Sequence, residues 1–141
     1  MNRRRLRRGG VWPAGQRDQA GGTVPALKIV VDHFSWPAAG PGGGGLAGHM
    51  QRLAGMAAAG NAAIRIDAIG TIFGDRAPCQ TRPWLLEVTG TFGPPRCMLG
   101  SDLPIENLRS GSGPLYAAYD TIFSGFSDDE PAMLFHRTAE R

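Results

Sequence analysis

Asp102 and His33 are the two residues of this 141-residue chain whose types and settings could do chemistry together. Asp102 lies in Gly100-Ser101-Asp102-Leu103-Pro104, directly after the apolar run Arg96-Cys97-Met98-Leu99; His33 closes the run Leu27-Lys28-Ile29-Val30-Val31-Asp32. An ionised aspartate only accepts, so it can orient a water, take its proton or bind a hard cation. A histidine can be a metal ligand, an acid or base, or an orienting donor. Taken singly, each has a bland reading, because lone histidines are often structural and aspartates are common in helix caps and turns. Arg65 adds a planar guanidinium that can grip a carboxylate in bidentate fashion. An ion pair with Asp67 competes with that role, but residues i and i+2 of a strand share a face about 7 Å apart, which disfavours it. Ser101 has no Gly-x-Ser-x-Gly elbow around it and reads as a backbone-fixing partner.

The elements that must position these groups alternate. Leu27 to Val31 is a short β-branched run of buried-strand type. Residues 37 to 45 form a loop rich in glycine and proline, without the Gly-Lys-Ser/Thr ending of a phosphate loop. Leu46, Met50, Leu53 and Ala57 recur at helical spacing over 46 to 59, and Gly60-Asn61 supplies the stop. Ile64, Ile66 and Ala68 then alternate with Arg65 and Asp67, which predicts a strand over Ala62 to Ile69. A helix is expected over 83 to 92 with Pro83 in its first turn, then a third strand at Arg96 to Gly100. Two helices follow, Leu115 to Phe123 and Asp128 to Glu140, the second opened by a Ser127/Glu130 capping box. His49 and His136 fall in helices and are expected to face solvent or pack. Strands alternating with helices predict a parallel sheet. Parallel strands send their carboxyl ends to one face, so His33 and Asp102 should meet there.

Charge divides the chain in two. Residues 1 to 17 hold six arginines and no acid, whereas the rest sets nine basic residues against twelve acids, a net of −3. Residues 1 to 24 read as a basic, disordered leader and 25 to 141 as the folded domain. A basic tail can serve nucleic acid, an anionic membrane or targeting, but short charge runs are usually solvated, so no nucleic-acid partner is expected. No stretch approaches the roughly 18 to 20 apolar residues of a membrane span. Cys79 and Cys97 form no metal-type spacing and suit a reducing, cytoplasmic setting.

Three segments together resemble one family: Ile29-Val30-Val31-Asp32-His33-Phe34 with Pro37 following, Asn61-Ala62-Ala63-Ile64-Arg65-Ile66-Asp67, and Phe92 to Pro104. They are similar to the amidohydrolase-related family of metal-dependent TIM-barrel hydrolases, closest to its lactonase and dicarboxylate-hydrolase branch. The resemblance runs from Pro25 to Arg141. It implies an α/β fold, a partial (β/α)₈ barrel whose three parallel strands correspond to strands six to eight, with crossover helices and two C-terminal helices. A whole barrel takes about 250 residues, so the expectation is the C-terminal portion of one, as a fragment or a half-barrel.

The implied reaction is water addition to a lactone, ester or amide carbonyl of a small carboxylated substrate. In it Asp102 acts as base, His33 holds a substrate oxygen or a divalent metal such as zinc, and Arg65 occupies a basic, substrate-binding position. His33 and Asp102 are the implied metal ligands. The family's first-strand His-x-His is missing, and His33, His49 and His136 are the only histidines. A metal held by three or four protein ligands is therefore not expected from this chain alone. The alternative reading is a noncatalytic half-barrel that pairs with a second copy or a complementing chain through its open strand edges.

Overall fold

The alternating runs become a single parallel sheet in the computed structural model, which describes residues 26–37, 45–74, 78–109, 111–127 and 129–141. The arginine-rich leader and most of the glycine-rich loop lie outside the described residues. Strand β1 (Ile29–Val31) pairs with β2 (Ala62–Ile66), and β2 pairs with β3 (Cys97–Leu99), all parallel. In the register Val31 stands beside Ile64 and Ile66 beside Leu99. Parallel neighbours need long crossovers, and helices supply them. Helix α1 (Gly45–Ala58) links β1 to β2, while α2 (Ile69–Phe73) and α3 (Pro78–Phe92) link β2 to β3. Helix α4 (Ser112–Phe123) and the short α5 (Asp129–Ala132) follow, the latter widening into a π-helical turn over Met133–Arg137.

Period-two alternation decides what each strand residue meets. Val31, Ile64, Ile66, Cys97 and Leu99 are buried in one core with Leu53, Leu85, Val88, Tyr119, Phe123 and Leu134 from the helices. The alternate positions are not so covered. Val30 is 53% exposed, and Ala63, Arg65 and Met98 are half-buried. A parallel sheet usually has both faces covered; within the described residues this one has a covered face and an open one.

Several boundaries differ from the sequence reading. β2 stops at Ile66 instead of Ile69, because Ala68 takes a left-handed φ of 56° that ends the extended chain. The five residues of α2 were too short to show a helical period. α3 begins at Pro78, so Pro83 sits inside it and not in its first turn. The carbonyl at Cys79 that loses its i+4 donor lies on an exposed side, with Cys79 and Pro83 both exposed, so water can satisfy it. The expected helix over 128 to 140 is an α turn followed by a π turn, with Thr138 N–H reaching Met133 O at 3.1 Å. Half of the expected capping box forms: the Glu130 N–H goes to Ser127 O at 3.0 Å and not to the Ser127 hydroxyl. The Glu130 carboxylate accepts the Ser127 N–H at 3.0 Å and its hydroxyl at 2.8 Å.

Arg96 joins the helix ends to the third strand. Its Nη1 donates to Ala57 O at 2.7 Å and its Nε to Phe92 O at 2.9 Å. These carbonyls belong to the last turns of α1 and α3, where a cation is favourable. Among the described residues no helix is long and apolar enough to cross a membrane.

Candidate active site

All three strands leave the sheet through non-glycine residues in the left-handed region. After β1 come His33, Phe34, Ser35 and Trp36, with φ of 51°, 58°, 59° and 50°; after β2 comes Ala68 at 56°, and after β3 Asp102 at 53°. Such conformations cost a side-chain-bearing residue about 1–2 kcal/mol each, so they persist only where packing and hydrogen bonds over-determine them. Phe34 and Ala68 are fully buried. Ser35 N–H donates to Asp32 O at 2.9 Å and Trp36 N–H to His33 O at 2.7 Å. The sharp turns hold polar side chains above the strand ends.

The result is a cluster of His33, Asp67 and Asp102. His33 Nδ1 lies 3.0 Å from Asp67 Oδ1 and 3.7 Å from Asp102 Oδ1. The His33 backbone N–H donates to the same Asp67 oxygen at 3.1 Å. Asp67 is the deep member, 1% exposed, with His33 at 33% and Asp102 at 16% open toward solvent. Arg65 Nε stands 2.6 Å from Asp67 Oδ2 and 3.3 Å from Asp32 Oδ1. That contact is an ion pair and not a directed hydrogen bond, for neither Arg65 Nε nor Asp67 Oδ2 makes a hydrogen bond. Burial pushes the Asp67 carboxyl above the usual carboxylate range; the charges of His33 and Arg65 pull it back in part, and Asp102 adds to the rise.

Gly100 makes room for the deep carboxylate. A Cβ there would stand 3.1 Å from Asp67 Cβ and 3.3 Å from Asp67 Oδ2, so a side chain would press on the group that anchors His33.

A family model described as amidohydrolase matches residues 22–141. The chain belongs to the amidohydrolase family. Its fold is that of solved members: an amidohydrolase of Burkholderia multivorans with bound zinc superposes with a TM-score of 0.81 at 24% identity, over 91% of this chain and 48% of that one. A Pseudomonas putida protein described as a 2-pyrone-4,6-dicarboxylic acid hydrolase gives a TM-score of 0.65 at 23% identity, over 87% of this chain and 47% of that one. An uncharacterised protein of Sinorhizobium fredii, y4mH, is 29% identical over 115 residues, 82% of this chain and 38% of y4mH. The chain thus spans about half the length of the solved amidohydrolases it matches, and its sheet is the corresponding part of a (β/α)₈ barrel.

In this amidohydrolase chain, His33, Asp67 and Asp102 each offer one ligand atom, and these atoms lie within 4.8 Å of one another. One imidazole and two carboxylates form a donor set suited to zinc or a similar divalent ion. Oδ1 is the donor atom of Asp67 on this side, since Oδ2 faces Arg65 Nε at 2.6 Å. A three-donor set therefore does form on this chain, contrary to the expectation from its histidine count. Asp67 supplies the third donor.

The sequence-predicted residues have mixed fates. His33 and Asp102 converge. Arg65 stands beside them, but paired with Asp67, the contact that strand spacing disfavours. Strand spacing does not apply, since β2 ends at Ile66 and Asp67 lies beyond the pleat. Asp67 was missed as a site residue, because the alternation carried on through Ala68 places it inside a strand, whereas β2 ends at Ile66 and leaves it at the strand's carboxyl end. His49 is 1% exposed and packs on Trp84 with ring centroids 5.7 Å apart; His136 is exposed. Neither joins the cluster.

Proposed function

We propose that this chain carries the strand-end chemistry of a hydrolase that adds water to a lactone, ester or amide carbonyl of a small carboxylated substrate. The meeting of His33, Asp67 and Asp102 above the sheet is the observation that supports this reading most. Asp102 takes the proton of the attacking water. It is the more open of the two carboxylates, so a water can reach it, whereas Asp67 is buried.

His33 is oriented by Asp67, which accepts both its main-chain N–H and its ring. With Nδ1–H given to Asp67, Nε2 is left able, once protonated, to donate to a substrate oxygen; a cation shared with the two carboxylates, which stand on the Nδ1 side, would take Nδ1 in place of that hydrogen bond. A divalent ion such as zinc, when held by His33, Asp67 and Asp102, supplies Lewis acidity toward the carbonyl. Arg65, 40% exposed with Nε beside Asp67, offers the remainder of its guanidinium to a substrate carboxylate. The free thiols Cys79 and Cys97 suit a cytoplasmic setting for this chemistry.

The test is a pH-stat assay of the full chain on a panel of simple lactones, lactones bearing carboxylates and p-nitrophenyl esters, with zinc supplied. Asp102→Asn should lower kcat by about 10²- to 10⁴-fold, the usual scale for a general base. Arg65→Gln should raise KM for carboxylated substrates more than for uncharged ones. Hydrolysis that survives Asp102→Asn, or none by the unsubstituted chain, counts against the reading.

A further inference from the structure

Tyr119 is a buried aromatic of α4, 1% exposed, whose hydroxyl reaches under the carboxyl end of the sheet. A phenol carries one proton, and two main-chain oxygens face it here, Gly100 O at 3.0 Å and Ile66 O at 3.2 Å. Ile66 immediately precedes Asp67, and Gly100 stands two residues before Asp102. The same two residues form the last rung between β2 and β3, Gly100 N–H donating to Ile66 O at 3.0 Å. Beyond that rung the chains part, turning through Ala68 and Asp102. It is the last point at which main-chain pairing can set the spacing of the two carboxylates.

We infer that Tyr119 is a positioning residue whose hydroxyl pins the ends of β2 and β3 together and so fixes the separation of Asp67 and Asp102. The inference rests on the proposed hydrolase, in which that separation shapes what a cation or water meets. A second tie runs beside the first. Glu106 donates its N–H to Asp102 O at 3.0 Å, and its buried carboxylate accepts the Gly70 N–H at 2.8 Å, joining the loop after β3 to α2. Tyr119 therefore acts below the carboxylates while Glu106 acts beside them. The phenol stays a donor, because burial and the neighbouring carboxylates Asp67, Glu106 and Asp102 all oppose its ionisation.

Tyr119→Phe keeps the ring and removes only the hydroxyl. In the full chain, Co²⁺ titration followed by its d–d absorption should show about tenfold weaker binding, the usual effect of losing a group that orients metal ligands, with a changed band shape. In the metal-free protein, the side-chain carboxyl ¹³C resonances of Asp67 and Asp102 should both move while that of Asp129, remote on α5, stays. Unmoved Asp67 and Asp102 resonances, or unaltered Co²⁺ affinity and spectrum, overturn the inference. Should the phenylalanine variant lose its fold, 3-fluorotyrosine incorporated at position 119 alters the donor strength of the hydroxyl within an intact ring, and the same resonances decide. If the unsubstituted chain binds no Co²⁺, the proposed hydrolase loses its support. The metal-free resonances still judge Tyr119.

Discussion

One carboxylate oxygen of Asp67 accepts both the ring and the main chain of His33, with Nδ1 at 3.0 Å and the backbone nitrogen at 3.1 Å. This double attachment fixes the rotamer of the imidazole and the left-handed turn that carries it. The two residues follow different strands, so the tie also joins the ends of β1 and β2. Site geometry is thereby set by the sheet and not by loops alone.

Asp67→Asn should change how stability depends on pH. The folded-state pKa of Asp67 is raised by burial, so at pH values just above the ordinary carboxylate range the folded chain holds a proton that the unfolded chain has lost. Its contribution to stability is then present at low pH and falls away as pH rises through the folded value. Asparagine does not titrate. The stability of the variant relative to the unsubstituted chain should therefore improve from pH 4 to pH 7, as measured by urea denaturation at both. A gap that stays constant or moves the other way refutes the assignment.

The two faces of β1 should respond unequally to truncation. Val31 is 8% exposed in the core and Val30 53% exposed on the open face. Losing two buried methyl-sized groups costs about 1.6 kcal/mol before any cavity term, so Val31→Ala should cost about 2 kcal/mol. Val30→Ala should cost about 0.8 kcal/mol or less by the same area argument. Equal costs in denaturant melts would mean that the face bearing Val30, Ala63 and Met98 is covered in solution.

How much was legible depended on how local each signal was. The apolar run before Asp32 and the alternation from Ala62 to Ile66 announced the strands, because a half-covered pleat leaves a period of two. His33 and Asp102 were legible as polar residues at strand ends. Asp67 was not, because continuing the alternation through Ala68 placed it inside a strand. Only the left-handed φ of Ala68, a product of tertiary packing, turns it into the site. The same error made the Arg65–Asp67 pair look too distant. The side-chain ties made by Tyr119 and Glu106 join residues 19 to 53 positions apart, and no local pattern records them.

Gly70 and Glu106 should prove strongly coupled. A Cβ at Gly70 would clash with Glu106 Oε1 and stand 2.9 Å from Arg109 Cβ, so Gly70→Ala should cost about 1–3 kcal/mol by overpacking. Glu106→Ala removes the acceptor of the Gly70 N–H, at about 1–3 kcal/mol. In the double variant much of the clash has gone, and the combined loss should fall short of the sum by at least about 0.5 kcal/mol. Strict additivity in a double-mutant cycle would place Gly70 and Glu106 out of contact.

The two thiols should separate cleanly under alkylation, and the slower one should report on the site. Cys97 is fully buried in β3, and burial pushes its thiol up to about 12, with Thr89 and Arg96 opposing the rise only in part. At pH 8 that leaves about one thiolate in ten thousand. Cys79 is exposed on α3. Iodoacetamide followed by mass spectrometry should modify Cys79 promptly and Cys97 only when the chain opens. Cys97 pairs with Ile64 in the register that ends at the Gly100–Ile66 rung, so its labelling measures separation of β2 from β3. Tyr119→Phe should accelerate labelling at Cys97 and leave Cys79 unchanged. Equal rates at the two cysteines in the unsubstituted chain would contradict the buried third strand on which Asp102 depends.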